Sequence, residues 1–207
     1  MISVIIPYVE DRGYLDEALK SLHNQSYENF EIVFAQGDRT QGQNINTGLV
    51  RARGEFIKIL HDDDVLPPNS LRDLRRGIGE FAWACADFET FGDECYCDPV
   101  AYIGRVPLLS MLVNKNNIGG GTTLYRKDVL NAIGGYDEEL WTGEEYELHM
   151  RLLHRGYACT YIPKIVHRYR LHQKNKSYYM GPGEKKYRRD YIKKIANKYG
   201  GKHKING

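Results

Sequence analysis

The chain has 207 residues, 42% of them apolar and 27% charged, and a formal net charge of +2. That length and balance suit one globular domain, or one domain with a tail, able to bury most of its apolar surface. They exclude a membrane-spanning helix, because no uncharged apolar stretch approaches the roughly 20 residues a bilayer crossing needs.

Met1-Ile2-Ser3 runs straight into the strand-like Val4-Ile5-Ile6, so no signal peptide is expected. Residues 2–7 are apolar and β-branched and stop at Pro7, which predicts a buried strand. Leu15, Ala18, Leu19 and Leu22 recur at helical spacing and predict a helix over 14–24. Residues 30–35 form the second predicted strand, with Gly37-Asp38-Arg39 as the turn after it. A helix through Ile45, Leu49 and Ala52 should end at Gly54, as a C-terminal glycine implies. Residues 56–60 are the third strand, and Leu71, Leu74 and Ile78 mark the next helix, before a strand over 81–86.

The second half is less regular. A polar, glycine-rich loop over 114–121 leads into a short strand at 122–125, followed by a helix at 127–133 closed by Gly134-Gly135. A helix over 144–155 stops at Gly156, and residues 157–162 and 165–169 read as two strands. Strand-helix alternation at this spacing implies a doubly wound parallel sheet, in which ligands bind beyond the carboxyl ends of the strands. The loops 8–13, 36–43 and 61–67 would meet there. No P-loop or G-x-G-x-x-G follows the first strand, so a glycine-rich phosphate cradle is not expected.

Four cysteines in a chain this long do not form a disulfide framework, and Cys95-Tyr96-Cys97 has the wrong spacing for a zinc knuckle, so reduced thiols and a cytoplasmic location are expected. Positive charge gathers at the end, where residues 184–207 hold nine Lys or Arg against two acids. Tyr187, Tyr191, Ile192, Ile195 and Tyr199 recur there at helical spacing. Such a helix either docks on its own domain or lies on an anionic membrane, and in both cases is expected to be separable from the chemistry.

Asp62, Asp63 and Asp64 directly follow the third strand. Like charges this close repel unless they share a cation, and hard oxygen ligands suit Mg²⁺ or Mn²⁺ rather than zinc. A plain polar turn stands beside that reading, since Asp favours turns for local hydrogen-bonding reasons.

Taken together, the segments resemble GT-A glycosyltransferases of the inverting family 2. The resemblance rests on Ser3-Val4-Ile5-Ile6-Pro7, Ala18-Leu19-Lys20-Ser21-Leu22, Asn24-Gln25-Ser26-Tyr27, Glu31-Ile32-Val33 and Asn46-Thr47-Gly48. It continues through Ala52-Arg53-Gly54-Glu55-Phe56-Ile57, the aspartates with Leu66-Pro67, Gly134-Gly135-Tyr136-Asp137-Glu138 and the run 144–152. It covers residues 2–177 and implies an α/β GT-A fold with a doubly wound, mostly parallel sheet. Residues 1–177 would form that domain, divided near residue 100 into nucleotide-binding and acceptor-binding halves, and 178–207 would be the basic helical tail.

The resemblance also implies roles. Mn²⁺ or Mg²⁺ would be held by Asp64 first, by Asp62 directly or through water, and by His172. In this DXD-like motif His61 stands where the family usually has Asp. The donor, a nucleotide sugar with UDP as the default nucleotide, would contact Pro7, Tyr8, Glu10, Gln36, Asn44, Asp62, Asp63, Gly120 and Gly121. Lys174 and Lys176 would neutralise its diphosphate. Glu145 would be the base that deprotonates an acceptor hydroxyl, although acids at 144, 145 and 147 also complement a helix dipole. Trp141 and Glu144 would meet the acceptor, which would be a glycan, a lipid-linked sugar or a protein. No nucleic-acid partner is expected, and membrane contact would be peripheral, through the tail. The rival readings are a nucleotide-sugar-binding domain without turnover and a sugar nucleotidyltransferase.

Overall fold

The structure, a computed structural model, describes residues 1–37, 39–92, 100–101, 118–173, 175 and 182–200. The first three strands form as β1 (Ile2–Tyr8), β2 (Phe30–Gln36) and β3 (Phe56–Ile59), all parallel with β1 in the centre. Residues 2–7 are all buried, as an apolar run without alternation must be when helices cover both sheet faces. One face packs on α1 (Leu15–His23) and α3 (Ser70–Gly77) through Leu22, Leu71 and Leu74. The other packs on α2 (Gln41–Arg51) through Ile45 and Leu49.

Chain order continues with β4 (Trp83–Phe91), β5 (Val100–Ala101), a 3-10 turn at Gly120–Thr122, and β6 (Leu124–Arg126). Then come α4 (Lys127–Ile133), α5 (Glu144–His154), β7 (Cys159–Arg170) and α6 (Pro182–Gly200). Among the described residues the sheet order is β2-β1-β3-β6-β4-β5, with β7 also paired to β4. The architecture is the expected doubly wound one. It is mixed rather than purely parallel, because β6 runs antiparallel to both β3 and β4, and β5 antiparallel to β4.

Several boundaries differ from expectation for identifiable reasons. α2 starts in a capping box, Thr40 Oγ1 accepting from Gln43 N at 3.2 Å and Thr40 N donating to Gln43 Oε1 at 3.0 Å. It ends at Arg51, with Ala52 already extended, so Gly54 is no helix stop. Gly54 instead lets the chain pass β1, where a Cβ would lie 2.6 Å from Ser3 N. The strand expected at 81–86 begins at Trp83 and runs on to Phe91. The two strands expected at 157–162 and 165–169 are one, β7. Pro163 and Lys164 interrupt its pairing with β4, where the register shifts between Ala86 and Asp87. Proline has no N–H to give the ladder, which makes it the natural place for that irregularity. Cys95, Cys97 and residues 102–117, which include the start of the loop expected over 114–121, lie outside the described residues, while Cys85 and Cys159 are buried free thiols with sulfurs 3.7 Å apart.

Two motif side chains explain their presence by what they hold. Gln25 is buried, donates from Nε2 to Pro67 O at 2.8 Å and accepts from Leu71 N at 3.1 Å, fixing the exit of the aspartate loop on α1. Asn46 exchanges hydrogen bonds with the Tyr136 backbone at 2.9 Å in both directions, tying α2 to the turn after α4.

The terminal helix is not a detached tail. Ile195, Ala196 and Tyr199 of α6 are buried in the core that α2, α4 and α5 share. Tyr199 donates its hydroxyl to Glu147 Oε1 at 2.5 Å, and Glu147 also pairs with Arg151 at 2.7 Å. Arg151 in turn donates to Ile133 O and Gly135 O, so α4, α5 and α6 are linked through one buried ion pair. The basic side chains Lys186, Arg189, Lys193, Lys194 and Lys198 stay exposed. Among the described residues no helix is long and apolar enough to cross a membrane.

A chain ending at Gly183 should therefore lose stability. Uncovering Ile195 and Tyr199, at about 1.5–3 kcal/mol for each large side chain, predicts a loss of at least about 3 kcal/mol. Urea unfolding of the two chains measures it, and equal midpoints would show that α6 does not belong to the core.

Candidate active site

β1 and β3 are parallel, so the loops after them leave the sheet at the same edge. They open onto a cleft of about 710 Å³, whose walls also include the 3-10 turn, the start of α5 and, from α6, Arg188 and Ile192.

Asp64 lies at its floor and is fully buried. Its Oδ1 accepts the Arg170 N–H at 2.9 Å, and its Oδ2 faces His167 Nε2 at 2.9 Å and His61 Nδ1 at 3.5 Å. Burial alone would raise the pKa of this carboxyl, but His167 and His61 overcome it and hold it well below the usual range. Burial pushes His167 down despite Asp64, so the ring is neutral and donates from Nε2. The Asp64 turn is further clamped by paired backbone bonds between Val65 and Arg168 and by Arg170 Nε on Asp63 O at 2.8 Å. Lys58, fully buried beneath, donates to Ile59 O and Gly121 O, and burial lowers its pKa to about 7 against the pull of Asp64. A Cβ on Gly121 would lie 2.2–2.6 Å from three atoms of the His167 ring, so only glycine lets the 3-10 turn sit there.

Asp62 and Asp63 face the cleft instead. Arg12 Nη2 reaches Asp62 Oδ1 at 2.7 Å and Asp63 Oδ2 at 2.9 Å. Burial pushes the Asp62 carboxyl up, opposed by Arg12. His172 Nε2 sits 3.1 Å from the same Asp63 Oδ2, its ring tilted over Tyr14.

Both oxygens of Asp64, the expected first ligand, already accept from protein donors here, and Asp63 is the carboxylate beside His172. Among the described residues no group of three or more His, Cys, Asp or Glu is set to hold a metal ion as it stands. The point where Asp62, Asp63 and His172 come together is held by the Arg12 guanidinium, itself a cation. Carboxylate oxygens with an imidazole nitrogen are nevertheless the donor types Mn²⁺ or Mg²⁺ accepts, so the residues fit such an ion in place of the guanidinium.

Across the cleft, Glu145 is the second residue of α5, which starts just after Gly143, whose φ of 79° lets the chain turn into the helix. Glu145 Oε1 accepts from Gln41 Nε2 at 3.3 Å and lies 3.6 Å from His61 Nε2. Burial lowers the His61 pKa, but Asp64, Glu145 and Asp63 together push it up to about 9. Gln41 Nε2 also lies 2.6 Å from His61 Nε2, so Gln41, His61 and Glu145 meet at one point of the cleft wall.

The other expected residues divide. Pro7, Tyr8, Glu10, Asn44, Gly121, Glu144 and Glu145 line the cleft. Gly120 starts the 3-10 turn beside it. Gln36 is exposed outside the cleft lining, its Nε2 3.3 Å from Val9 O. Trp141 is 41% exposed, which excludes a core position, and precedes the cleft residues Thr142 and Gly143. Lys174 and Lys176 lie outside the described residues. His167, Lys58 and Arg188 were not legible as site residues, because each comes from an element whose neighbours only the fold supplies, and Arg12, although in the loop 8–13 expected at the site, carries no local signal of its partners Asp62 and Asp63.

No family model matches the sequence. The chain is 24% identical over 191 aligned positions to an uncharacterized glycosyltransferase of Rickettsia typhi (strain ATCC VR-144 / Wilmington), covering 74% of this chain and 58% of that protein. A GalNAc(5)-diNAcBac-PP-undecaprenol beta-1,3-glucosyltransferase of Campylobacter jejuni is 29% identical over 107 positions, 38% of this chain and 35% of that one. The chain thus spans little more than half of the R. typhi protein and less of the other. Among solved structures, S. aureus TarS 1–349 in complex with UDP-GlcNAc superposes with a TM-score of 0.72 at 19% identity, covering 94% of this chain and 66% of that one. TarS itself gives 0.66 over 82% and 36%. The chain has a glycosyltransferase-like fold.

The two kinds of aspartate should separate by mutation. Asp64→Asn leaves His167 or the Arg170 N–H facing an amide donor, and a buried donor left unsatisfied costs about 1–3 kcal/mol. Asp63→Asn, at the cleft, should cost far less. Urea unfolding of both variants checks this, and equal stability would show that Asp64 has no structural role.

Proposed function

We propose that this chain is an inverting glycosyltransferase domain of the GT-A family 2 type. It would move a sugar from a nucleoside-diphosphate donor, with UDP the default nucleotide, to a hydroxyl of a glycan or lipid-linked acceptor. The observation that supports this best is the placing of Glu145 and the aspartate turn on one cleft at the strand ends, coupled through Gln41 and His61. The TarS complex with UDP-GlcNAc and the undecaprenol-linked substrate in the Campylobacter name support the donor and acceptor classes.

In this reading Glu145 takes the proton of the acceptor hydroxyl. The oxygen attacks the anomeric carbon in line, the bond to the diphosphate oxygen breaks, and configuration inverts. Gln41 holds the Glu145 Oε1 in place at the start of α5, as a positioned base requires. Asp62, Asp63 and His172 would hold a Mn²⁺ or Mg²⁺ ion, which supplies Lewis-acid stabilisation to a departing diphosphate. Tyr8, at the end of β1, is poised to stack on the base, and Trp141 offers an exposed ring to the acceptor sugar.

Glu145→Gln should slow transfer by about 10²–10⁴, the usual effect of losing a positioned base, while UDP affinity stays close to unchanged. Steady-state rates beside calorimetric titration with UDP test it. Affinity falling in step with rate would make Glu145 a binding residue, and a product of retained configuration by NMR would overturn the inverting mechanism.

A further inference from the structure

Arg12 makes a contact that the proposed transfer does not use. One nitrogen, Nη2, bridges Asp62 Oδ1 at 2.7 Å and Asp63 Oδ2 at 2.9 Å, with Nε 3.4 Å from Asp62 Oδ2. The two carboxylates are 6% and 11% exposed, so neither can stand without a countercharge in that position. Arg12 itself is 25% exposed and belongs to the loop between β1 and α1, outside any helix or strand. That loop turns at Gly13, with a φ of 88°. The guanidinium can therefore leave without opening the core, whereas the aspartates cannot follow it.

We propose that Arg12 is the resident counter-ion of Asp62 and Asp63, that a divalent cation enters by exchanging with its guanidinium, and that the released guanidinium takes a phosphate oxygen of a diphosphate in the cleft. The identity of that anion rests on the glycosyl-transfer reading; the exchange rests on the contacts alone. A guanidinium suits both partners, since its fork matches carboxylate and phosphate alike.

Exchange couples the two ligands. A cation arriving alone must expel Arg12 into the cleft without a partner, and a diphosphate arriving alone must draw Arg12 off two buried carboxylates. Each ligand removes the obstacle to the other, and linkage makes the effect reciprocal, typically about 5–150-fold in affinity.

The test is Mn²⁺ binding to the full chain, followed by the EPR signal of free Mn²⁺, alone and with inorganic pyrophosphate or UDP. The wild-type chain should bind Mn²⁺ more tightly by about 5–150-fold when pyrophosphate is present. Arg12→Gln should bind Mn²⁺ without anion on the order of tenfold more tightly than wild type, and lose most of the coupling. Arg12→Lys, a charge without the fork, should fall between them. Thermal melts give a readout that does not depend on affinity: Arg12→Gln should melt below wild type without Mn²⁺ and recover when it is added. Unchanged or weaker Mn²⁺ binding by Arg12→Gln, undiminished coupling, or no Mn²⁺ binding by either chain overturns the proposal. Exchange behaviour as expected, with no transfer from any nucleotide sugar, would leave the exchange standing and remove the glycosyl-transfer reading.

Discussion

The buried carboxylate of Asp64 is the constraint on which the site depends. A charge with no solvent exposure is tolerated only when its lone pairs are filled, and here a neutral imidazole and a backbone N–H fill them. Both donors come from the last third of β7, so the end of β3 and the end of β7 are fixed to each other across more than 100 residues of chain. Once Asp64 is anchored inward, the next two carboxylates back along the turn have only the cleft to face. The Val65–Arg168 bridge and Arg170 on the Asp63 carbonyl then hold the turn in that posture.

Around this anchor the cleft balances charge at close range. Arg12 and His172 meet Asp63 on the same oxygen, and Arg12 carries Asp62 as well. His61 stands between Asp64 and Glu145, within 3.5 and 3.6 Å of them. A carboxylate at position 61 would be pressed against both. Histidine there relieves a repulsion that this chain, with Glu145 so near, would otherwise carry.

Glu147 has a similar part on the other side of α5. Its pairing with Arg151 and with the Tyr199 hydroxyl gives α6 a polar fixture inside an otherwise apolar contact. A buried ion pair of this kind stabilises little by itself but penalises every alternative docking that would leave it open. It also explains how Arg188 and Ile192, from a helix far along the chain, come to line the cleft. The acids at 144, 145 and 147 look alike as a helix-dipole pattern, yet Glu147 points into the core and Glu145 into the cleft.

The sequence by itself determined the elements and their order. Apolar runs at 2–7 and 56–60, broken only by Ser3 and Lys58, specify buried strands, helical spacing specifies α1 and α5, and Gly134 ends α4 with a positive φ of 85°. These follow from local propensity and burial period, which neighbours in sequence settle. The aspartate triplet was legible as a charged turn at a strand end, and Glu145 as an acid at a helix start. Tertiary structure alone decided which aspartate turns inward, because that depends on where His167 and the Arg170 N–H arrive. It alone seated Arg12 on Asp62 and Asp63, and brought α6 to the cleft wall. Partner choice among charges is a matter of distances of about 3 Å between segments far apart in sequence, and no periodicity records it.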